Sequence, residues 1–207
     1  MRKISFVIVL VLYLSAVPVN AEMVTFYDLN SHPWAVASVC RLAEKGIING
    51  VRPHYYAPEE YVSRGQLCEL LCRIFQLSAN GLSAYPDVPE ESYYHDSIAA
   101  LKALGVLLPD VNGNFQPEAP ATRETTMRIT GFLLLRFGLA ENSGIFLLDS
   151  YPDGSLVSAA NREYAEAVLQ GGFIKGNADG TLNPMGYLTR AETAVFLDRF
   201  YTHLFGE

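Results

Sequence analysis

Apolar residues recur at helical spacing in successive stretches separated by turn residues. Trp34, Val36, Val39, Cys40, Ala43 and Ile47 predict an amphipathic helix near residues 33–45, with Pro33 in its first turn and Gly46 closing it. Leu67, Leu70, Leu71, Ile74 and Leu77 predict a second helix after Ser63. The same pair returns twice. Tyr94, Ile98, Leu101 and Leu104 lead to Gly105, and Met127, Thr130, Leu133, Leu134 and Phe137 follow Thr122. Tyr164, Ala167 and Val168 lead to Gly171-Gly172, and Val195, Leu197, Phe200 and Leu204 follow Thr189. A short extended loop joins the two helices of each pair. In the connection 138–150, Ile145-Phe146-Leu147-Leu148 is apolar and is expected to pack down as a short strand.

One motif keeps the register. Leu188-Thr189-Arg190-Ala191-Glu192 has worn copies in Val62-Ser63-Arg64-Gly65-Gln66 and Ala121-Thr122-Arg123-Glu124-Thr125, with the arginines 59 and 67 residues apart. Recurrence at this period signals a repeat architecture. Ser or Thr is a helix N-cap, and Gln66 and Glu192, three residues on, complete a capping box that Thr125 cannot complete well. The arginine falls at the first helical position, where the helix dipole disfavours a cation. Three such placements point to a purpose beyond helix stability: an anion site made from a helix N-terminus and a guanidinium fork. One unit of 50–60 residues cannot bury its own apolar faces, so neighbours share a core, with the three second helices at its centre.

The ends and the composition narrow the class. Arg2, Lys3, the apolar run Ile4–Ala16 and Val19-Asn20-Ala21 predict a signal peptide over 1–21; an uncleaved anchor is the runner-up. Repeats are expected over 22–80, 81–142 and 143–207. Without Arg2 and Lys3 the net charge moves from −7 to −9, and no Lys/Arg cluster stands out, which argues against nucleic acid and anionic lipid. Cys40, Cys68 and Cys72 read as buried apolar residues, with a bridge from Cys40 to Cys68 or Cys72 as the alternative in a secreted chain. Neither they nor the scattered histidines give a metal pattern, and no cofactor is expected. Asp110-Val111-Asn112-Gly113-Asn114 has its glycine out of place for a calcium loop.

These residues together resemble the S-layer homology (SLH) domain. The resemblance rests on Phe26-Tyr27-Asp28, Trp34, Gly46-Ile47-Ile48-Asn49-Gly50 and Ser63-Arg64 in repeat one. In repeat three it rests on Tyr151-Pro152-Asp153, Gly172 to Gly176, Asp179-Gly180-Thr181-Leu182-Asn183-Pro184 and Thr189-Arg190-Ala191-Glu192. It implies a mainly α fold: three helix-loop-helix repeats in a pseudo-threefold prism around a central three-helix bundle. It also implies secondary cell-wall polysaccharide, often pyruvylated, held in grooves between repeats. Arg190, Arg64 and Arg123, in that order of expectation, would face the ketal carboxylate. Asp28, Asp87 and Asp153 would accept sugar hydroxyls, Trp34 would form an apolar wall, and Gly50 and Gly176 would admit the ligand close to the backbone. Repeat two departs from the pattern, with Pro109 for the second turn glycine and Glu124 placed to neutralise Arg123.

Other readings remain at this level. The aspartates also suit turn capping. A small wall-associated protein is expected, with another envelope protein as an alternative partner. No nucleophile elbow, zinc helix or phosphate loop points to an enzyme, though a carboxylate pair acting on a wall glycan stays open.

Overall fold

The computed structural model describes residues 25–79, 81–140, 144 and 146–206; the leader expected over 1–21 lies outside them. The architecture is mainly α. The helices are α1 (Pro33–Glu44), α2 (Arg64–Phe75), α3 (His95–Ala103), α4 (Arg123–Arg136), α5 (Arg162–Gln170) and α6 (Arg190–Phe205). The capping chemistry explains where the second helices start. Ser63, Thr122 and Thr189 each accept the N–H three residues on, from Gln66, Thr125 and Glu192. Gln66 and Glu192 return the bond and complete capping boxes; Thr125 instead meets the Thr122 hydroxyl at 2.9 Å. The apolar segment expected as a strand is a 3-10 helix, Leu147–Ser150, with Ile145 outside the described residues. Glu166 of α5 accepts the Leu147 and Leu148 N–H groups, which tightens the backbone into a turn rather than leaving it extended.

The helices pair between repeats. α2 packs on α3, α4 on α5, and α6 returns to α1, so the array closes into a ring. Small residues permit the close approaches. A methyl at Gly131 of α4 would overlap the Tyr164 backbone of α5, and one at Gly65 of α2 would lie 2.9 Å from the Tyr94 ring. The closing pair has a polar lock as well: Ser38 donates to Asp198 at 2.8 Å, and Arg41 pairs with the same carboxylate at 3.2 Å.

Both ends of the second helices meet at the pseudo-threefold axis. At the N-terminal end three backbone bonds form a triangle: Val62 N–H to Leu188 O at 3.1 Å, Leu188 N–H to Ala121 O at 3.4 Å, and Ala121 N–H to Val62 O at 2.8 Å. Toward the other end, Phe75 at the close of α2 stacks on Phe137, just past α4, and lies tilted against Phe200 of α6, with ring centroids 5.4 and 5.3 Å apart. Leu67, Leu71, Met127, Leu133, Leu134, Leu197 and Phe200 are fully buried between these ends. Burial of this kind stabilises by about 1.5–3 kcal/mol per large side chain, and no single repeat has enough of it to fold alone.

Candidate functional site

The residue after each N-cap looks across a repeat boundary. The first two N–H groups of α2 donate to Ala119 O and Pro117 O, those of α4 to Gly186 O and Pro184 O, and those of α6 to Glu60 O and Pro58 O. With the third N–H taken by the cap, the helix N-termini are filled by carbonyls of the following repeat. The expectation that these N–H groups form part of an anion site is therefore corrected. Docking of the next loop uses the donors that an anion would need.

The arginine side chains cross the same boundary. Arg190 donates from Nε to Tyr56 O and from Nη2 to Asn49 O, both at 2.8 Å, and lies 4.6 Å over the Tyr56 ring. Arg123 repeats this on repeat three, with Leu182 O at 2.7 Å and Lys175 O at 2.8 Å, and is only 8% exposed. Arg64 lies 4.6 Å over the Phe115 ring, but its buried Nε has no acceptor. None of the three is in an ion pair among the described residues. Burial lowers the pKa of Arg64 and Arg123, though an arginine still stays charged.

Two clefts open beside these guanidiniums, and each draws on all three repeats. The first, about 170 Å³, is lined by Arg64, the Leu107–Leu108 turn, Phe115, Arg128 of α4 and Asn161 of repeat three. The second, about 210 Å³, is lined by Arg123, Lys175, Gly176, Glu192, Arg199 and, from repeat one, Trp34. Trp34 is 54% exposed and forms part of that wall. Arg128 and Arg199 carry no motif signature; only their position five and nine residues into the second helices, on the face turned to the clefts, marks them.

Glu124 does not neutralise Arg123. It turns the other way, lining the Arg64 cleft, and accepts the Ser158 N–H at 2.8 Å, the Ser158 hydroxyl and the Asn161 amide at 2.9 Å. Neighbours along a helix point about 100° apart, which separates the two side chains. Burial raises the Glu124 pKa, but the Ser158 and Asn161 hydrogen bonds, with Arg128 nearby, lower it by more, to a net value below 4.5.

The three aspartates share one geometry. Asp28 accepts N–H bonds from Tyr56 and Ala57, Asp87 from Phe115 and Gln116, and Asp153 from Leu182 and Asn183, all at 2.6–3.1 Å. Ala57, Gln116 and Asn183 have φ of 59°, 58° and 52°, and a proline follows each. Such a conformation is disfavoured for residues with a side chain, and a charge-assisted bond to its N–H offsets the cost. The aspartates thus hold the loops that the arginines read, as the turn-capping alternative expects.

Gly50 and Gly176 serve their own repeats too. An added methyl would lie 2.7 Å from the Phe26 ring at Gly50 and 2.5 Å from the Tyr151 ring at Gly176. The room left by the absent side chain is filled by the opening aromatic.

Cys68 and Cys72 are buried and Cys40 half-buried, and no disulfide joins them among the described residues. Asp110 accepts from Asn112 N, Asn114 N and the Gln116 amide, so both of its oxygens are occupied within the loop. No described helix is long and apolar enough to cross a membrane.

Comparison with known proteins agrees with this layout. The family model described as the S-layer homology domain matches residues 25–68, 84–126 and 150–194. The Surface-layer 125 kDa protein of Lysinibacillus sphaericus is 29% identical over 89% of this chain and 16% of its own length. S-layer protein EA1 of Bacillus anthracis is 27% identical over 87% of this chain and 20% of its own. An amylopullulanase of Thermoanaerobacterium thermosulfurigenes is 25% identical over 84% of this chain and 9% of its own. The chain thus spans a fifth or less of the length of these relatives. With three domain matches in series and a ring of helices closed through them, this chain belongs to the S-layer homology domain family, and with it to the proteins of the cell surface.

Proposed function

We propose that the chain is a non-catalytic module that anchors to the bacterial cell wall by holding secondary cell-wall polysaccharide, pyruvylated at its end, in the clefts between repeats. The observation that carries this reading is the pair of clefts, each placing a buried motif arginine beside an open, partly apolar wall. Arg64, whose Nε has no protein acceptor among the described residues, is the foremost proposed contact for the acidic group, while Arg123 and Arg190 offer it the nitrogens that their loop carbonyls leave unused, with Trp34 stacking on a sugar face. Asp28, Asp87, Asp153, Gly50 and Gly176 act by shaping the loops. The matched relatives give further support. Proteins named for unlike activities, an S-layer protein, an amylopullulanase and an endoglucanase, share this stretch over 9–20% of their length. A stretch shared by proteins with such unlike names fits attachment better than any one of their activities.

Calorimetry with purified wall polysaccharide, before and after removal of the pyruvate, tests the proposal. Saturable binding that weakens on removal is expected. Equal binding to both forms removes the ketal from the reading, and no binding to either removes the polysaccharide.

A further inference from the structure

The loops between first and second helices differ at their tips. In repeats two and three the tip is a polar turn over 110–114 and 177–181, where Gly113 and Gly180 donate to Asp110 O and Asn177 O at 3.0 Å and take φ of 82°. The matching position in repeat one, 59 residues before Gly113, is His54, with φ of 62°. There the Tyr55 N–H donates to Arg52 O at 3.0 Å, with Pro53 second in the turn and His54 third, where a type II turn favours glycine. A side chain is disfavoured at such a φ. The imidazole is nevertheless tied down: it stacks on Tyr27 at 5.0 Å, and its Nδ1–H donates to Thr25 O at 3.2 Å.

The strained turn carries a patch that the other repeats lack. Tyr27 meets Tyr55 edge-on at 6.3 Å with the rings at 90°, and the Arg52 guanidinium lies 3.9 Å over the Tyr55 ring. Tyr27 is 57% exposed, and all of residues 51–55 are exposed as well. The core begins only at Tyr56, and none of these side chains lines either cleft. Where repeat one has Tyr27, Arg52 and Tyr55, repeat two has Pro86, Val111 and Asn114, and repeat three has Pro152, Ala178 and Thr181. Single apolar residues on a surface need no explanation, but a contiguous run on a strained backbone points to use.

Charge and shape select what covers it. Among the described residues the Arg52 guanidinium makes no hydrogen bond or ion pair. The carboxylate of Asp28, next to Tyr27, is taken by the Tyr56 and Ala57 N–H groups. In a chain of net charge −7 this is a cationic, aromatic spot, complementary to an acidic partner. Tyrosine and arginine are the side chains that dominate protein contacts. Six residues fall short of the roughly 20–30 a side that a stable interface between folded domains uses, so a peptide segment fits better than a second copy of this chain. The perpendicular tyrosines each have one face covered, which leaves notches for side chains rather than a flat platform for a sugar ring. We propose that the loop tip of repeat one docks an acidic, apolar segment of a partner protein, with a carboxylate on Arg52 and an apolar side chain against Tyr27 and Tyr55. His54 is a positioning residue that holds Tyr27 upright.

The test uses the full chain and a synthetic peptide with glutamate and leucine in turn at every second position and serine between, so that both face one side of an extended segment. In nuclear magnetic resonance titrations the Arg52 Nε–H and the Tyr27 and Tyr55 ring signals are expected to shift saturably, while the Arg64 and Arg123 Nε–H signals stay. Arg52→Glu is expected to weaken the peptide by roughly tenfold or more, a charge-assisted contact made repulsive, and to leave binding of wall polysaccharide unchanged. His54→Gly takes the turn without strain and is expected to melt no lower than wild type, yet to weaken the peptide because Tyr27 loses its support. Unmoved Arg52, Tyr27 and Tyr55 signals at high peptide overturn the proposal. So does a peptide with lysine in place of glutamate that binds equally, or a folded Arg52→Glu that binds like wild type. Wall polysaccharide moving these signals in place of the peptide overturns it as well, in favour of a saccharide. Should Arg52→Glu fail to melt cooperatively, the wild-type signals decide.

Discussion

The clefts at Arg64 and Arg123 begin from the same motif position, the first residue of a second helix, and end in different chemistry. Arg123 is clamped by Leu182 O and Lys175 O of the next repeat. Arg64 meets the corresponding loop of repeat two, stacks on Phe115, and finds no carbonyl there for Nε. The accompanying sequence difference is Pro109 where repeats one and three have Gly50 and Gly176. Proline fixes φ, and a glycine turn that admits the opening aromatic cannot be reproduced with it. Repeat two instead places Tyr85 so that its hydroxyl donates to Leu107 O at 3.0 Å. A repeated motif therefore fixes where a guanidinium starts, while the loop opposite decides whether it is a structural clamp or an open donor.

Substitution of the two arginines sharpens this contrast most. Arg123→Met removes the donors from two loop carbonyls and is expected to cost about 3 kcal/mol, whereas Arg64→Met is expected to cost less than about 1 kcal/mol because no protein bond is lost. Thermal melts of both variants check it; equal losses would erase the distinction between clamp and open donor. The next largest effect is expected at Asp153, which holds the loop that Arg123 reads. Asp153→Ala frees the N–H groups of Leu182 and Asn183 and is expected to cost about 2 kcal/mol, read from denaturant midpoints.

Glu124 gives a pH-dependent version. Its pKa is lower in the folded chain than the ordinary 4.5. The ionised form is thus favoured by folding, so its contribution is present above the unfolded value and lost as pH falls through the folded value. Glu124→Gln is expected to flatten the acid limb of the melting-temperature profile below about pH 4.5. An unchanged acid limb would show that the Ser158 and Asn161 contacts do not hold the carboxylate. The smallest effect is expected at Thr193, a fully buried residue whose hydroxyl has no partner. Thr193→Val is expected to raise stability by up to about 1 kcal/mol, measured by calorimetry.

Much of the fold was readable from the chain. Helix positions follow from apolar spacing, and the starts at Arg64, Arg123 and Arg190 follow from Ser or Thr one residue earlier. The stretch around Leu147 was misread because four apolar residues suit a strand or a turn equally; Glu166, distant in sequence, selects the turn. The site was less readable. Motif arginines are visible, but Arg128 looks like any helix-surface arginine, and nothing local shows that Trp34 of repeat one completes a cleft between repeats two and three.

By itself the sequence determined the local events: caps, helix lengths, glycine turns and the threefold recurrence of one motif. These depend on residues within a turn or two of one another, where chemistry and spacing suffice. The tertiary structure alone decided which carbonyl each helix N-terminus meets, which arginine keeps its donors, and which way Glu124 points. Those outcomes depend on where a loop some 50 residues away is held, and that is set by closure of the helix ring.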